Sequence, residues 1–286
     1  MFEALRFGIK FLNNKKIENA KGEAELLLIH VLNVDKIFFY KNLRKKITKE
    51  LFSKYQKVLQ KRAEGIPLQY ILQYVEFCSL RLKVIPGVFI PRPETELLVE
   101  EVLHYIDKRS NFSYPINILD LGTGTGAVLL SLLKEIKDAY GIGIDKNSLA
   151  LSLAKENAFL NNIDNATFLE GDIFFPEKFV FSEKFDIITS NPPYIPNNEI
   201  KNLQREVRYE PLLALNGGED GLLYYPYIFK WGKMFLKKYG IIAIEMGIFE
   251  WKDIKEIASS YGFSGYFKKD FNNVERIGIF YENYRT

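Results

Sequence analysis

Leu119-Asp120-Leu121-Gly122-Thr123-Gly124-Thr125-Gly126 closes an apolar segment and opens a helical one, the context in which a glycine-rich turn carries meaning. Glycine is needed wherever backbone must touch a ligand, because a β-carbon would collide. Here the glycines fall at every second position, Gly122, Gly124 and Gly126, behind the acidic Asp120. That spacing departs from the dinucleotide fingerprint, and a carboxylate there would repel a pyrophosphate and attract an ammonium group. An amino-acid-bearing nucleoside therefore fits this turn better than a dinucleotide, with Asp120, Gly122, Thr123, Gly124, Thr125 and Gly126 as its cradle. The competing reading is a tight strand-to-helix turn with an incidental carboxylate.

Two later carboxylates weigh against the competitor. Asp145 ends the next expected strand, where it would accept hydrogen bonds from both ribose hydroxyls. Gly171-Asp172-Ile173 follows the third; Asp172 can accept from an adenine amine while Ile173 lies on the base. Around them the apolar pattern predicts strands at Ile116 to Leu119, Tyr140 to Ile144, Thr167 to Leu169 and Phe185 to Thr189. Helices are expected at Ala127 to Ile136 and Ser148 to Leu160. A helix from about Leu222 to Lys238, a strand Gly240 to Glu245 and closing strands Phe263 to Lys268 and Arg276 to Tyr281 continue the series. Such alternation implies an α/β domain whose mostly parallel sheet carries helices on both faces.

Asn191-Pro192-Pro193-Tyr194 follows the strand ending near Thr189, at the carboxyl edge of the sheet where ligands bind in such folds. Two consecutive prolines fix their φ angles and remove two N–H donors, so the loop presents carbonyl acceptors in a set direction. A side-chain amide or an aromatic amine offers two N–H donors, which the Asn191 side-chain oxygen and the Pro192 carbonyl could accept together. Tyr194 can pack against the flat face of the same group. Asn191, Pro192 and Tyr194 are thus the expected catalytic residues, Pro193 joins them in holding substrate, and Asn191 is also expected to border the cofactor. The bland reading of the motif alone is a rigid surface turn.

Upstream the pattern changes. From Phe2 to Leu72 apolar residues recur at helical spacing, as in Ala24, Leu27, Leu28 and Val31, which predicts a small helical domain over residues 1–73. Thr48 is placed to cap a helix starting near Lys49, and Gly65-Ile66-Pro67 to stop it. Val75 to Phe89 alternates apolar and polar residues around Pro86-Gly87, so residues 74–90 read as a β-hairpin linker to the large domain of residues 91–286. A chain of 286 residues suits that division.

Composition removes several chemistries. The chain is 47% hydrophobic, with no run of about 18 apolar residues and no export signal in Met1 to Lys10; a cytoplasmic protein with no membrane partner is expected. Cys78 stands alone and only His30 and His104 accompany it, so no internal disulfide, metal site or Cys/His catalysis is expected. Residues 1–90 carry 17 Lys and Arg against 8 Asp and Glu, +9, whereas the remainder carries 22 against 28, −6. Either the basic part faces an acidic partner or its lysines only solvate helix faces.

Further motifs complete a pattern: Gly87-Val88-Phe89-Ile90-Pro91-Arg92-Pro93-Glu94-Thr95-Glu96, Val207-Arg208-Tyr209-Glu210-Pro211, Gly217-Gly218-Glu219-Asp220-Gly221 and Asn273-Val274-Glu275-Arg276. With the glycine turn and Asn191 to Tyr194, they resemble the release factor glutamine methyltransferases over essentially the whole chain. The Ile90 to Glu96 block discriminates best, since other amino-methylating enzymes share the Asn-Pro-Pro-Tyr loop but not this entry. The resemblance implies a helical amino-terminal domain, a hairpin linker and a Rossmann-like, seven-stranded class I methyltransferase domain. It also implies S-adenosylmethionine as cofactor, S-adenosylhomocysteine as product, and the glutamine of the Gly-Gly-Gln motif in class I release factors as substrate. A monomer with no stable nucleic-acid partner is expected.

By the same resemblance Arg92, Glu94 to Glu96, Arg208 and Glu210 border the active-site entrance, as a polar network or as substrate contacts. Phe89 and Pro91 would lie near the methionine end of the cofactor. Gln73 departs from the pattern, which carries glycine before the hairpin. Other substrates remain open on the residues alone: a ribosomal-protein glutamine, or a flipped adenine in DNA, although the −6 of the catalytic part disfavours DNA. A non-catalytic binding module is the remaining reading, against which the intact Asn191 loop argues.

Overall fold

The computed structural model describes residues 1–108, 114–248 and 250–283. The chain forms two compact units, one of Met1–Tyr74 with Gln204–Tyr209, the other of Val75–Leu203 with Glu210–Thr286.

The first unit is helical: α1 (Phe2–Asn14), α2 (Ala20–Leu32), α3 (Lys36–Lys41), α4 (Lys49–Ala63) and α5 (Leu68–Leu72). Side chains of Asn19, Asp35 and Thr48 cap α2, α3 and α4, Thr48 accepting from Leu51 N at 3.2 Å, which satisfies amides that lack a helical partner. The helices close on Leu12, Ala24, Leu27, Leu28, Phe39, Tyr55 and Leu59. Gly8 of α1 makes room for Tyr55, whose hydroxyl donates to Ala24 O at 2.9 Å. The Gln204–Tyr209 segment joins this unit through Glu206, 2.6 Å from the buried Arg62 guanidinium, and through Tyr209, which donates to Glu64 O. A contiguous division of the chain misses that return.

Apart from Tyr74, the hairpin β1 (Tyr74–Phe77) and β2 (Leu80–Lys83) opens the second unit. Its turn is Cys78-Ser79, at φ 44° and 64°, and not Pro86-Gly87 as the sequence pattern predicts. Two-residue hairpin turns of this hand favour Asn-Gly, so Cys-Ser gives no signal; Glu96 Oε1 holds the turn by accepting from Cys78 N at 2.8 Å. Next come α6 (Glu96–Asp107), β3 (Ile116–Leu121), α7 (Ala127–Glu135), β4 (Ala139–Asp145), α8 (Ser148–Leu160), β5 (Ala166–Glu170) and β6 (Phe185–Ser190). The unit ends with α9 (Tyr225–Phe235), β7 (Leu236–Glu245), α10 (Trp251–Ser260), β8 (Phe263–Lys269) and β9 (Glu275–Glu282).

The seven strands lie in the order β5-β4-β3-β6-β7-β9-β8. The first five are parallel, and β9 runs antiparallel between β7 and β8. This is the Rossmann-like α/β sheet the alternation predicts. Successive residues of the central strands face opposite layers, as strand geometry requires. Ile116, Ile118, Ile187, Ile241 and Ala243 pack with α6 and α7, while Leu119, Leu121, Ile188, Ile242 and Ile244 pack with α9 and α10. α9 is shorter than expected at both ends, since Leu236 already pairs with Phe185 of β6. α6 and α10 lie outside the expected elements, although Leu98, Val99, Val102, Tyr105 and Ile106 of α6 have helical spacing.

Candidate active site

The parallel register of β3 and β4 sets Leu121 beside Ile144 and carries the glycine turn to the carboxyl edge of the sheet. Gly122 N and Thr123 N both donate to Ile144 O, at 2.8 and 3.0 Å. The Asp145 carboxylate pins the turn further: Gly124 N donates to one oxygen and Asn147 N to the other, each at 2.8 Å. Burial pushes the Asp145 carboxyl above its ordinary pKa, and these amides oppose the shift. A β-carbon added to Gly124 would meet nothing nearer than Gly122 O at 4.0 Å, and one on Gly122 only Ile173 Cδ1 at 3.7 Å. One on Gly126 would press Leu130 at 3.0 Å. Gly122 and Gly124 thus border open space that a ligand can enter, whereas Gly126 serves helix packing.

Gly171 N donates to Asp145 O, which brings the end of β5 against the end of β4. Asp172 accepts from Phe174 N at 3.1 Å and from Lys146 Nζ at 2.8 Å. Trp231 Nε1 donates to Ile173 O, which holds the Ile173 side chain toward Gly122. Beside them lies a cavity of about 340 Å³ whose walls include Lys146, Gly171, Asp172, Phe175 and Phe179.

Asp120 is 2% exposed and faces the same layer as its register partner Thr189, whose hydroxyl donates to Asp120 Oδ1 at 2.7 Å. Burial pushes the Asp120 carboxyl up to about 6, with neighbouring Asp145 adding to the rise. A buried anion of this kind favours a cation beside it.

Asn191 follows β6 directly, and its Nδ2 donates to Thr95 Oγ1 at 3.1 Å. The carbonyl Oδ1 is left as the edge of the side chain that can receive a donor. Tyr194 donates to Glu245 Oε1 at 3.2 Å, and burial raises its pKa. The backbone of Tyr194 is seated by the 217–221 loop: a β-carbon on Gly217 would stand 2.7 Å from Tyr194 C and Cα. Ile195 N donates to Leu215 O and Gly217 N to Ile195 O, closing the contact. That close approach explains Gly217 and also Gly221, where an added β-carbon would stand 2.7 Å from Tyr194 O, while Gly218 holds φ +91°.

The turn after β3, the ends of β4 and β5 and the loop after β6 thus lie at one edge of the five parallel strands. The motif residues around them are structural in part. Glu210 is buried, accepts from Ile90 N at 3.0 Å and pairs with Arg92, whose guanidinium also covers the Phe89 ring. Glu96 is engaged by the hairpin turn. Arg208 belongs to the segment grouped with the helical unit, and Glu210 to the sheet unit. Thr95, within the Glu94 to Glu96 stretch expected at the entrance, is buried, as is Glu245, which the sequence does not single out. The available signal was a lone carboxylate ending an otherwise apolar strand, Gly240 to Glu245.

Residues 3–72 match the PrmC N-terminal domain family, and residues 114–222 a methyltransferase domain family. The chain is 42% identical over 260 residues to a release factor glutamine methyltransferase of Thermodesulfovibrio yellowstonii, covering 90% of this chain and 91% of that one. It is 36% identical to the Geobacter sulfurreducens protein of the same name, covering 93% and 91%. Among solved structures, the hMettl16 catalytic domain superposes with a TM-score of 0.56 at 17% identity, covering 79% of this chain and 82% of that one. A Pyrococcus furiosus methyltransferase superposes at 0.50 and 18%, covering 72% and 90%. These structures share the class I methyltransferase fold.

Proposed function

The chain belongs to the release factor glutamine methyltransferase family, and on that premise we propose its reaction, a methyl transfer from S-adenosylmethionine to a side-chain amide nitrogen. The acceptor is the glutamine of the Gly-Gly-Gln motif in class I release factors, and the product is S-adenosylhomocysteine. The chain's donor set fits the cofactor. Gly122 and Gly124 leave a cradle that a β-carbon would fill, and the buried Asp120 suits an ammonium group. Asp145 and Asp172 keep lone pairs for ribose hydroxyls and an adenine amine, and Ile173 offers an apolar surface. The bound cofactor supplies a methyl carbon made electrophilic by its sulfonium.

The remaining difficulty is the nucleophile. An amide nitrogen shares its lone pair with the carbonyl, a conjugation reflected in the ~18–20 kcal/mol rotation barrier of a peptide bond. Asn191 Oδ1 and the Pro192 carbonyl accept the two N–H groups and return electron density to nitrogen. Tyr194 covers the flat face of the amide. Holding the reactants in near-attack geometry supplies roughly 7–11 kcal/mol of the barrier. The nitrogen becomes cationic as it gains carbon, the same carbonyl dipoles stabilise that charge, and one N–H proton, made strongly acidic by it, is then lost to solvent to restore a neutral amide. No strong base is needed.

One observation carries this reading: Asn191 Nδ2 is engaged by Thr95, so its acceptor edge is the one offered beside Pro192. Incubation with methyl-labelled S-adenosylmethionine and, separately, release factor, ribosomal protein and DNA tests it. Label should enter the release factor alone; label confined to another substrate would redirect the assignment.

A further inference from the structure

Thr95 is the residue at the amino terminus of α6, a place where threonine ordinarily accepts from the second or third amide of the helix. Here it makes no such bond. The preceding turn, Pro93–Thr95, already gives it helical backbone angles, φ −68° and ψ −19°, and its hydroxyl bonds outside the helix, to Asn191. Thr95 is 3% exposed, and its hydroxyl accepts from Asn191 Nδ2 and neighbours the Glu245 carboxylate. Glu245 is 2% exposed; its Oε1 accepts from Tyr194 and its Oε2 has no hydrogen-bond partner among the described residues.

A hydroxyl has a single proton to give. If it is given to Glu245, Thr95 can only accept from Asn191, which forces Nδ2 toward Thr95 and Oδ1 toward the substrate. If it is given to Asn191, the amide turns over and offers N–H to a substrate that needs an acceptor. Resting on the amide-clamp reading above, we propose that Thr95 and Glu245 are positioning residues that set the orientation of the Asn191 amide, Glu245 acting as the anion that draws the Thr95 proton. The groups facing Glu245 are Thr95 and Glu94 before α6, Tyr194 of the loop, Arg276 of β9 and Tyr225 of α9. Burial pushes its carboxyl up to about 7, with Thr95, Tyr194 and Arg276 holding it down and Glu94 adding to the rise. Protonated Glu245 no longer needs the Thr95 proton, so the bias fades as pH falls through that value.

Thr95→Val and Thr95→Ser in the full-length enzyme separate positioning from packing. Valine keeps the shape and removes the hydroxyl; serine keeps the hydroxyl and removes a buried methyl. Single-turnover methylation of release factor, with saturating cofactor, should fall at least about tenfold in Thr95→Val, comparable to losing part of a preorganised acceptor, and stay near wild type in Thr95→Ser. Cofactor affinity should be unchanged in both. The wild-type rate should also decline on acidification through about 7, and Thr95→Val should lack that decline. A wild-type rate in Thr95→Val, or rates that follow melting temperature with Thr95→Ser the slower, would overturn the proposal.

A second readout needs no substrate. In selectively asparagine-labelled protein the Asn191 side-chain NH₂ should show slow proton exchange in wild type and Thr95→Ser, and fast exchange in Thr95→Val. Should wild type fail to methylate release factor, the substrate assignment fails and this signal alone decides the positioning; equal exchange in all three proteins would refute it.

Discussion

At the residue scale, the chemistry rests on which atoms are already engaged. Asn191 uses its N–H edge internally and keeps its oxygen, so Asn191→Ala removes one of two acceptors for the amide while leaving the cofactor cradle intact. Turnover should fall by about 100-fold or more, the scale of losing one preorganised donor from an oxyanion hole. Asn191→Asp keeps an acceptor of the same shape but must place an oxygen against Thr95, so it should fall between alanine and wild type in single-turnover kinetics. Asp120 gives a pH test of the cradle. Its carboxyl is pushed up to about 6 by burial in the free protein, and a cation held beside it lowers that value. The free protein must then release a proton to bind cofactor at low pH. Affinity should be full above about 6 and weaken as pH falls through it, by up to about tenfold per unit. Calorimetry at about pH 5 and pH 7.5 reads this directly, and equal affinities would remove the ammonium from Asp120.

At the element scale, most of the sheet was legible because β3, β4 and β6 are apolar runs bounded by glycine, asparagine or aspartate. The helices α7 and α8 were legible from spacing. The hairpin turn was not, since Cys78 and Ser79 adopt left-handed angles without the residues that favour them. Glu245 reads as one more end of an apolar strand; only the register that sets Ala243 beside Thr189 reveals that it shares a layer with Asp120. Thr95 reads only as part of the Glu94 to Glu96 entrance, and its use toward Asn191 depends on the Pro93–Thr95 turn, which sequence does not specify. Gln73 ends α5 at φ 65°, with its N–H donating to Gln69 O. The left-handed geometry is thus kept without the glycine that suits it. For an L-residue this costs roughly 1–2 kcal/mol, partly offset by the greater freedom glycine brings to the unfolded chain. Gln73→Gly should raise stability by about 0.5–1 kcal/mol in a denaturant melt, and a loss of stability would mean that the glutamine side chain is held by its surroundings.

At the scale of the whole molecule, charge is divided between the two units. The helical unit, with Gln204–Tyr209, carries 17 Lys and Arg against 8 Asp and Glu, and the sheet unit 22 against 28. A basic surface that docks an acidic partner is weakened by salt, whereas buried cofactor contacts are screened far less. The apparent KM for release factor should therefore rise several-fold between about 50 and 200 mM salt with cofactor affinity nearly constant. A flat KM would leave the lysines as solvating groups. The central claim, that this fold and this loop alkylate one amide nitrogen of one glutamine, is tested by the position of the methyl group itself. After incubation of release factor with enzyme and S-adenosylmethionine, tandem mass spectrometry of the peptide containing Gly-Gly-Gln should find a single added methyl on the side-chain nitrogen of its glutamine. A methyl on any other residue, or an unmodified peptide after turnover of the cofactor, would contradict it.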